Sequence, residues 1–167
     1  VKLGTVPYLE IGDVNIENKT YKLKDKGAVS GAVFATKNTI LVSTVRPTRG
    51  AITIIKENSI AVSGAFVCLK TKESICLHRY LFYIVNAKRF TSYLGMNSKG
   101  ATYPTCSKDD VLNFSDFNLP SISEQQSIVA TLDKINELID ANKRQLELLD
   151  EAVKSRFVEM FGDIFNG

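Results

Sequence analysis

The chain has one histidine and three cysteines among its 167 residues, which leaves little soft-ligand chemistry to build on. Cys68, Cys76 and Cys106 lie in or beside apolar segments, no pair shares a Cys-x-x-Cys spacing, and a zinc site would need ligands that the pattern does not supply. An odd set of dispersed thiols reads as buried small hydrophobes in a reducing cytoplasm, not as a disulfide framework. His78 stands alone at the start of an apolar helical run and reads as a packing or surface residue rather than a catalytic one. No apolar stretch approaches the roughly 18 residues of a spanning helix, so no membrane span is expected. Val1 opens without the charged-then-apolar order of a secretory signal. The glycines form neither a Gly-x-Gly-x-x-Gly nor a Walker pattern, which removes the common phosphate-cradling loops. Asp109-Asp110 and Asp150-Glu151 are neighbours in sequence, where they suit a helix start or a solvated face and build no acid–base pair or metal cage. No metal, cofactor or catalytic residue is therefore expected.

What is present is an uneven charge. Residues 1–120 hold 16 Lys or Arg against 9 Asp or Glu, and residues 121–167 hold 5 against 9. Seven net positive charges thus adjoin four net negative ones, an asymmetry that the overall +3 conceals. Hydrophobic residues at 44% and charged residues at 23% are ordinary for a folded protein and exclude global disorder. The length suits one core plus an extension, so we expect a basic domain over residues 1–120 and a helical segment over residues 121–167.

The periodicities predict an α+β fold, with a β-rich mixed domain and a packed helix followed by one long coiled-coil-forming helix. Strands are expected at residues 6–11, 29–34, 39–43, 51–55 and 60–69, with a turn at Lys37-Asn38 and a bulge or close backbone approach at Gly64. Residues 15–26 read as a surface loop or short hairpin. Leu77, Tyr80, Leu81, Ile84 and Val85 recur at helical spacing, continuing to Phe90 and Leu94 before Gly95. Residues 95–106 read as loop and residues 111–119 as a last short strand. Beyond Pro120, Ser123 and Gln126 form a capping box, with Glu124 in the first turn.

From residue 123 to 161 the helix would run about 39 residues, or about 58 Å, since neither Gly nor Pro interrupts it before Gly162. Its seam advances by threes and fours through Leu132, Ile135, Ile139, Asn142, Leu146, Leu149, Val153 and then Arg156 or Phe157. Such a seam requires another helix alongside, from a second copy, a second half of a longer protein or another subunit, and its first residues could also pack back on the basic domain. Asn142 either specifies register and partner or faces a wet gap.

Three segments suit duplex DNA. Residues 42–50 carry Thr44, Arg46, Thr48 and Arg49 around Pro47, ending at Gly50. Arginine matches the paired acceptors of guanine or a phosphate, and threonine bonds either a phosphate or a base edge; the plain alternative is two surface arginines paired with carboxylates. Residues 96–105 offer Asn97, Ser98, Lys99, Thr102 and Tyr103 between Gly95 and Pro104. Residues 18–26, with Lys19, Tyr21 and Lys22, suit backbone attraction more than base discrimination.

These residues bear a likeness to a known family. Gly100-Ala101-Thr102-Tyr103-Pro104, then Val111-Leu112-Asn113-Phe114, then Leu119-Pro120-Ser121-Ile122-Ser123-Glu124-Gln125-Gln126 and Leu132-Asp133, resemble the end of the target recognition domain and the start of the helical spacer in type I restriction-modification specificity subunits. Residues 154–163 look like the end of that spacer, and residues 6–13 and 41–50 look like earlier parts of the recognition domain. The resemblance implies a cytoplasmic, non-catalytic subunit in which each recognition domain reads half of a bipartite DNA target. Paired antiparallel helices would set the spacing and dock methyltransferase and restriction subunits, and those partners would supply the S-adenosylmethionine and ATP chemistry. A full family subunit has two recognition domains and two spacers, whereas this chain has one of each, so a homodimer or the second half of a longer subunit would complete it. The opening Val1-Lys2-Leu3-Gly4 also runs straight into Thr5-Val6-Pro7, where the family has an intervening loop. The competing expectation is a helix-mediated scaffold that does not read DNA.

Overall fold

The computed structural model describes residues 5–27 and 29–162. The expectation about the opening four residues lies outside that range. By its internal contacts the chain divides into two units, Val1–Gln126 and Ser127–Gly167.

The first unit is built on strands β1 (Val6–Leu9), β2 (Lys24–Lys26), β3 (Val33–Ala35), β4 (Ile40–Ser43), β5 (Ile52–Ile54), β6 (Ile60–Val62) and β7 (Phe66–Leu69). They form a four-stranded sheet of order β2-β1-β6-β3 and a three-stranded sheet of order β5-β4-β7. Strand β1 runs antiparallel to β2 and parallel to β6, and the remaining pairs are antiparallel. All four residues of β4 are buried, which accounts for its unbroken apolar run Ile40-Leu41-Val42 where a half-exposed strand would alternate. Leu9, Ala35, Leu41, Ile55, Ile60, Val62 and Phe66 form one core cluster, with Tyr21, Leu23 and Cys68 packed on its margin.

Residues 60–69 were expected as one strand, but they make two strands that belong to different sheets. Between them the Ser63 hydroxyl accepts the Ala65 N–H at 3.3 Å and the Ser63 carbonyl accepts the Phe66 N–H at 3.0 Å, turning the chain. Gly64 is required there because a Cβ would lie 2.5 Å from the Gly31 carbonyl oxygen. The close approach is therefore present, but it marks a change of sheet.

The expected single helix over residues 77–94 is also two: α1 (His78–Asn86) and α2 (Lys88–Asn97). Ala87 adopts φ −66 and ψ 143, an extended conformation that serves at once as the end of α1 and the start of α2. The break re-aims the apolar face, and Phe90 and Leu94 are completely enclosed. Apolar spacing alone runs through such a break, because both helices keep the same period.

Residues 111–119 do not form a strand. Residues 108–112 are helix α3 (Lys108–Leu112), started by a capping box in which Ser107 and Asp110 bond each other's backbone N–H. The helix-start reading of Asp109-Asp110 thus outweighs the apolar run, since a satisfied cap selects the helix.

Helix α4 (Ile122–Phe161) spans 40 residues, and its cap is Ser121 rather than Ser123. Glu124 accepts from the Ser121 N–H at 2.9 Å and hydroxyl at 2.6 Å, which holds its carboxyl below the usual glutamate range. One residue later, Gln125 is fully buried: its Oε1 accepts the Leu77 N–H at 2.9 Å, and its Nε2 donates to the carbonyls of Ile75 at 2.9 Å and Pro120 at 2.8 Å. In the second unit, Ile135, Ile139, Leu146, Leu149, Val153 and Phe157 of the seam stand exposed, and Leu132 is half-buried. No helix among the described residues is long and apolar enough to cross a membrane.

Candidate nucleic-acid interface

Strand β4 ends in a turn that is fastened on both sides. The Thr44 N–H and hydroxyl both donate to the Ala65 carbonyl, at 2.9 and 2.8 Å, so Thr44 is spent on the turn between β6 and β7. Arg46 follows in the left-handed conformation, φ 47 and ψ 54, and residues Pro47–Arg49 make one 3₁₀ turn closed by Gly50 at φ 67. A left-handed arginine carries a steric cost that surrounding contacts must offset. They come from the second expected segment: the Arg46 N–H donates to the Pro104 carbonyl at 2.7 Å, Nη2 donates to the Thr102 carbonyl at 3.3 Å, and the guanidinium lies 4.2 Å from the centre of the Tyr103 ring.

That second segment is itself a closed loop. Lys99 and Thr105 exchange two backbone hydrogen bonds, each of 2.9 Å, and Cys106 N–H donates to the Thr44 carbonyl at 3.0 Å. Gly100 turns the tip at φ 99, where a Cβ would meet the Tyr103 carbonyl oxygen at 3.0 Å. Two loops more than 50 residues apart in sequence are thereby joined into one surface. Arg46, Arg49 and Tyr103 line a cleft of about 670 Å³ together with Ile11, Val14, Asn15, Ile16, Glu17, Val45 and Ala51. Among the described residues neither Arg46 nor Arg49 pairs with a carboxylate, which removes the plain reading of two surface ion pairs.

The other expected residues have diverse placements. Thr48, Lys99 and Thr102 are exposed. Asn97 and Ser98 return their side-chain donors to α2, to the carbonyls of Tyr93 at 2.8 Å and Leu94 at 2.7 Å, and finish that helix. Asn97 and Lys99 line a separate cleft of about 440 Å³ with Asp110. Lys19 gives its ammonium to the Gly50 carbonyl at 2.7 Å, and burial pushes its pKa down; it braces the arginine turn from beneath. Tyr21 donates to Glu57 and accepts from the Lys56 N–H, and burial with the Glu57 bond raises its pKa to about 12. Lys24 and Lys26 are paired with Asp13 and Glu10, which leaves Lys22 exposed in that basic stretch.

Sequence reading did not single out Asn15, Ile16 and Glu17, which the fold brings beside Arg46. A signal existed: the Asn15 side chain accepts the Glu17 and Asn18 N–H groups at 2.9 and 3.2 Å, an Asx turn typical of asparagine two or three residues before a bend. The three thiols are free and burial raises each of their pKa values, away from the nucleophilic form. His78 is paired with Glu73 at 3.0 Å, and no group of His, Cys, Asp and Glu among the described residues could hold a metal ion.

Residues 2–151 match the family described as the type I restriction modification DNA specificity domain. The chain belongs to this family. Two similar relatives are the type I restriction enzyme MjaIX and MjaVIII specificity subunits of Methanocaldococcus jannaschii, 30% identical over 156 residues and 28% over 160 residues. Those alignments cover 93% and 95% of this chain but 34% and 35% of the relatives, so the chain spans about a third of the length of the curated relatives it matches. Among solved structures, the HsdS subunit from Thermoanaerobacter tengcongensis shares the fold at a TM-score of 0.77 and 22% identity, over 93% of this chain and 41% of that one. A chain from the structure described as the basis of complex assembly and conformational transition of the type I R-M system matches at 0.75 and 21%, with the same coverage.

The specificity domain's resemblance-bearing residues have physical tasks in this fold. Glu124 caps α4, Gln125 bonds three backbone groups, Gly100 permits the loop tip, and the Thr102 and Pro104 carbonyls receive Arg46.

Proposed function

We propose that this chain reads one half of a bipartite duplex-DNA target as the specificity component of a type I restriction-modification complex. The observation that carries the reading is the joined surface of residues 44–50 and 99–105, where two guanidinium groups, without a carboxylate partner among the described residues, line one cleft of a domain with net positive charge. Arginine on a preformed turn supplies phosphate attraction and base-edge bonding together. Residues 1–120 would act as the reading domain, with Thr48, Lys99 and Thr102 beside the arginines. The acidic helix would serve as a spacer, pairing antiparallel with a second copy or with the second half of a longer subunit.

In this proposal the chain carries out no chemistry. Methyltransferase and restriction subunits, as in type I complexes, would modify adenine and cut DNA at positions that this chain selects, in the cytoplasm. The test is to reconstitute the chain with the methyltransferase subunit, map the methylated adenines and measure duplex binding over a salt series. A defined methylated motif and a steep loss of affinity with salt are expected. Methylation without a motif, or binding with neither selectivity nor salt slope, would instead describe a scaffold that never reads DNA.

A further inference from the structure

We infer that Arg46 is the base-reading residue of this surface and selects guanine in the major groove, whereas Arg49 serves the phosphate backbone. This rests on the DNA-reading function proposed above. Base discrimination requires donors held in place before DNA arrives, while a phosphate needs little more than a nearby charge. Arg46 meets the first requirement. Its backbone is set at φ 47, its N–H bonds Pro104, one guanidinium nitrogen bonds the Thr102 carbonyl and the group lies over the Tyr103 ring at 4.2 Å.

That arrangement uses a minority of the five guanidinium donors and leaves others for an incoming acceptor pair, the geometry of guanine O6 and N7. Ile11, Val14, Val45 and Ala51 give the cleft an apolar share of its lining, which favours such bonds, beside the polar Asn15 and Glu17. Arg49 lines the same cleft but is not fixed in this way. It lies one short turn further on, exposed, with no side-chain partner among the described residues, as suits a flexible point charge. Tyr103 is then a positioning residue that acts through Arg46.

The experiment is selection from randomised duplexes by the full chain in its reconstituted methyltransferase complex, with wild type, Arg46→Lys, Arg49→Gln, Tyr103→Leu and Tyr103→Phe. Wild type should enrich a motif containing a guanine that Arg46→Lys loses by roughly tenfold to a hundredfold while the other positions persist. Tyr103→Leu should lose the same position to a smaller degree, and Tyr103→Phe, which keeps the ring, should retain it. Arg49→Gln should weaken all sequences alike and reduce the salt slope by about one. An unchanged motif in Arg46→Lys, or a uniform loss over all sequences, overturns the inference and leaves DNA reading by the chain standing. No enriched motif with wild type overturns both. Should circular dichroism show Arg46→Lys unfolded, the two Tyr103 variants decide: equal motifs in both overturn the inference, and loss of the guanine in Tyr103→Leu alone upholds it.

Discussion

In the unit Val1–Gln126, Leu9, Ile40, Leu41, Ile55, Ile60, Val62, Phe90 and Leu94 are each no more than 1% exposed; in Ser127–Gly167, Ile135, Ile139, Leu146, Leu149 and Val153 remain 45–69% exposed. Both segments are rich in aliphatic side chains, so the contrast is one of partners. The first unit returns its chain on itself through its sheets and short helices and encloses a core, although Phe34 and Met96 stand exposed at 67% and 79%. A single helix cannot do that, because its side chains radiate from one axis and it has no second element of its own to fold over its apolar face. Charge divides the same way, basic in the first 120 residues and acidic beyond.

The largest effect is expected from Leu146→Asp with Leu149→Asp. If the exposed seam is covered by another helix, two unpaired charges in the contact cost several kcal/mol each and association should be lost outright. Sedimentation over a concentration series reads the loss, and the circular dichroism of the first unit should not change. A wild-type chain that stays monomeric at every concentration would assign the covering helix to a different chain.

Next in size is Gln125→Leu, which attacks the first unit alone. It leaves the Leu77 N–H and the Ile75 and Pro120 carbonyls without their partner, which at about 1–3 kcal/mol each would sum to about 3–9 kcal/mol if all three were dry. Ile75 is exposed and Leu77 and Pro120 are half-buried, so water recovers part of this and a loss of about 3–5 kcal/mol is expected in chemical unfolding. Gly64→Ala should follow at about 1–3 kcal/mol, because its Cβ would stand 2.5 Å from a backbone oxygen that cannot swing aside. Gly50→Ala should cost about 1 kcal/mol at φ 67 and weaken duplex binding as the arginine turn shifts.

A weaker effect depends on pH. Hydrogen bonds from Ser121 hold the Glu124 carboxyl below its ordinary 4.5, so its contribution is fully present above that value and is lost as pH falls through the lower folded value. Glu124→Gln should therefore be less stable than wild type near neutral pH, and the two unfolding curves should converge in acid. A constant difference across that range would mean that the ionised carboxylate is not what caps the helix.

The two polar loops, the long helix and its apolar seam were legible in the sequence, because each depends on local pattern. Arg46 beside Pro47, the Gly100 tip and the uninterrupted seam are short-range signals, and a helical period without Gly or Pro persists whatever surrounds it. Other features escaped because competing local signals were equally good. Val111 and Leu112 read as strand until Ser107 and Asp110 close a helix cap; Phe90 and Leu94 continue the period of α1 although Ala87 has broken it.

Chain connectivity and local pattern enforce a set of elements: a basic β-rich domain, an acidic helix and two polar loops. Long-range packing brings those loops together, with the Arg46 guanidinium on Tyr103 and its backbone on Pro104, and puts Asn15, Ile16 and Glu17 along the same cleft. It also decided that Lys19 and Thr44, which could equally have faced a phosphate, bond the carbonyls of Gly50 and Ala65 instead. The reason is that hydrogen-bonding capacity belongs to the residue type, whereas the partner that uses it is chosen by the fold, across separations in sequence over which no local pattern extends.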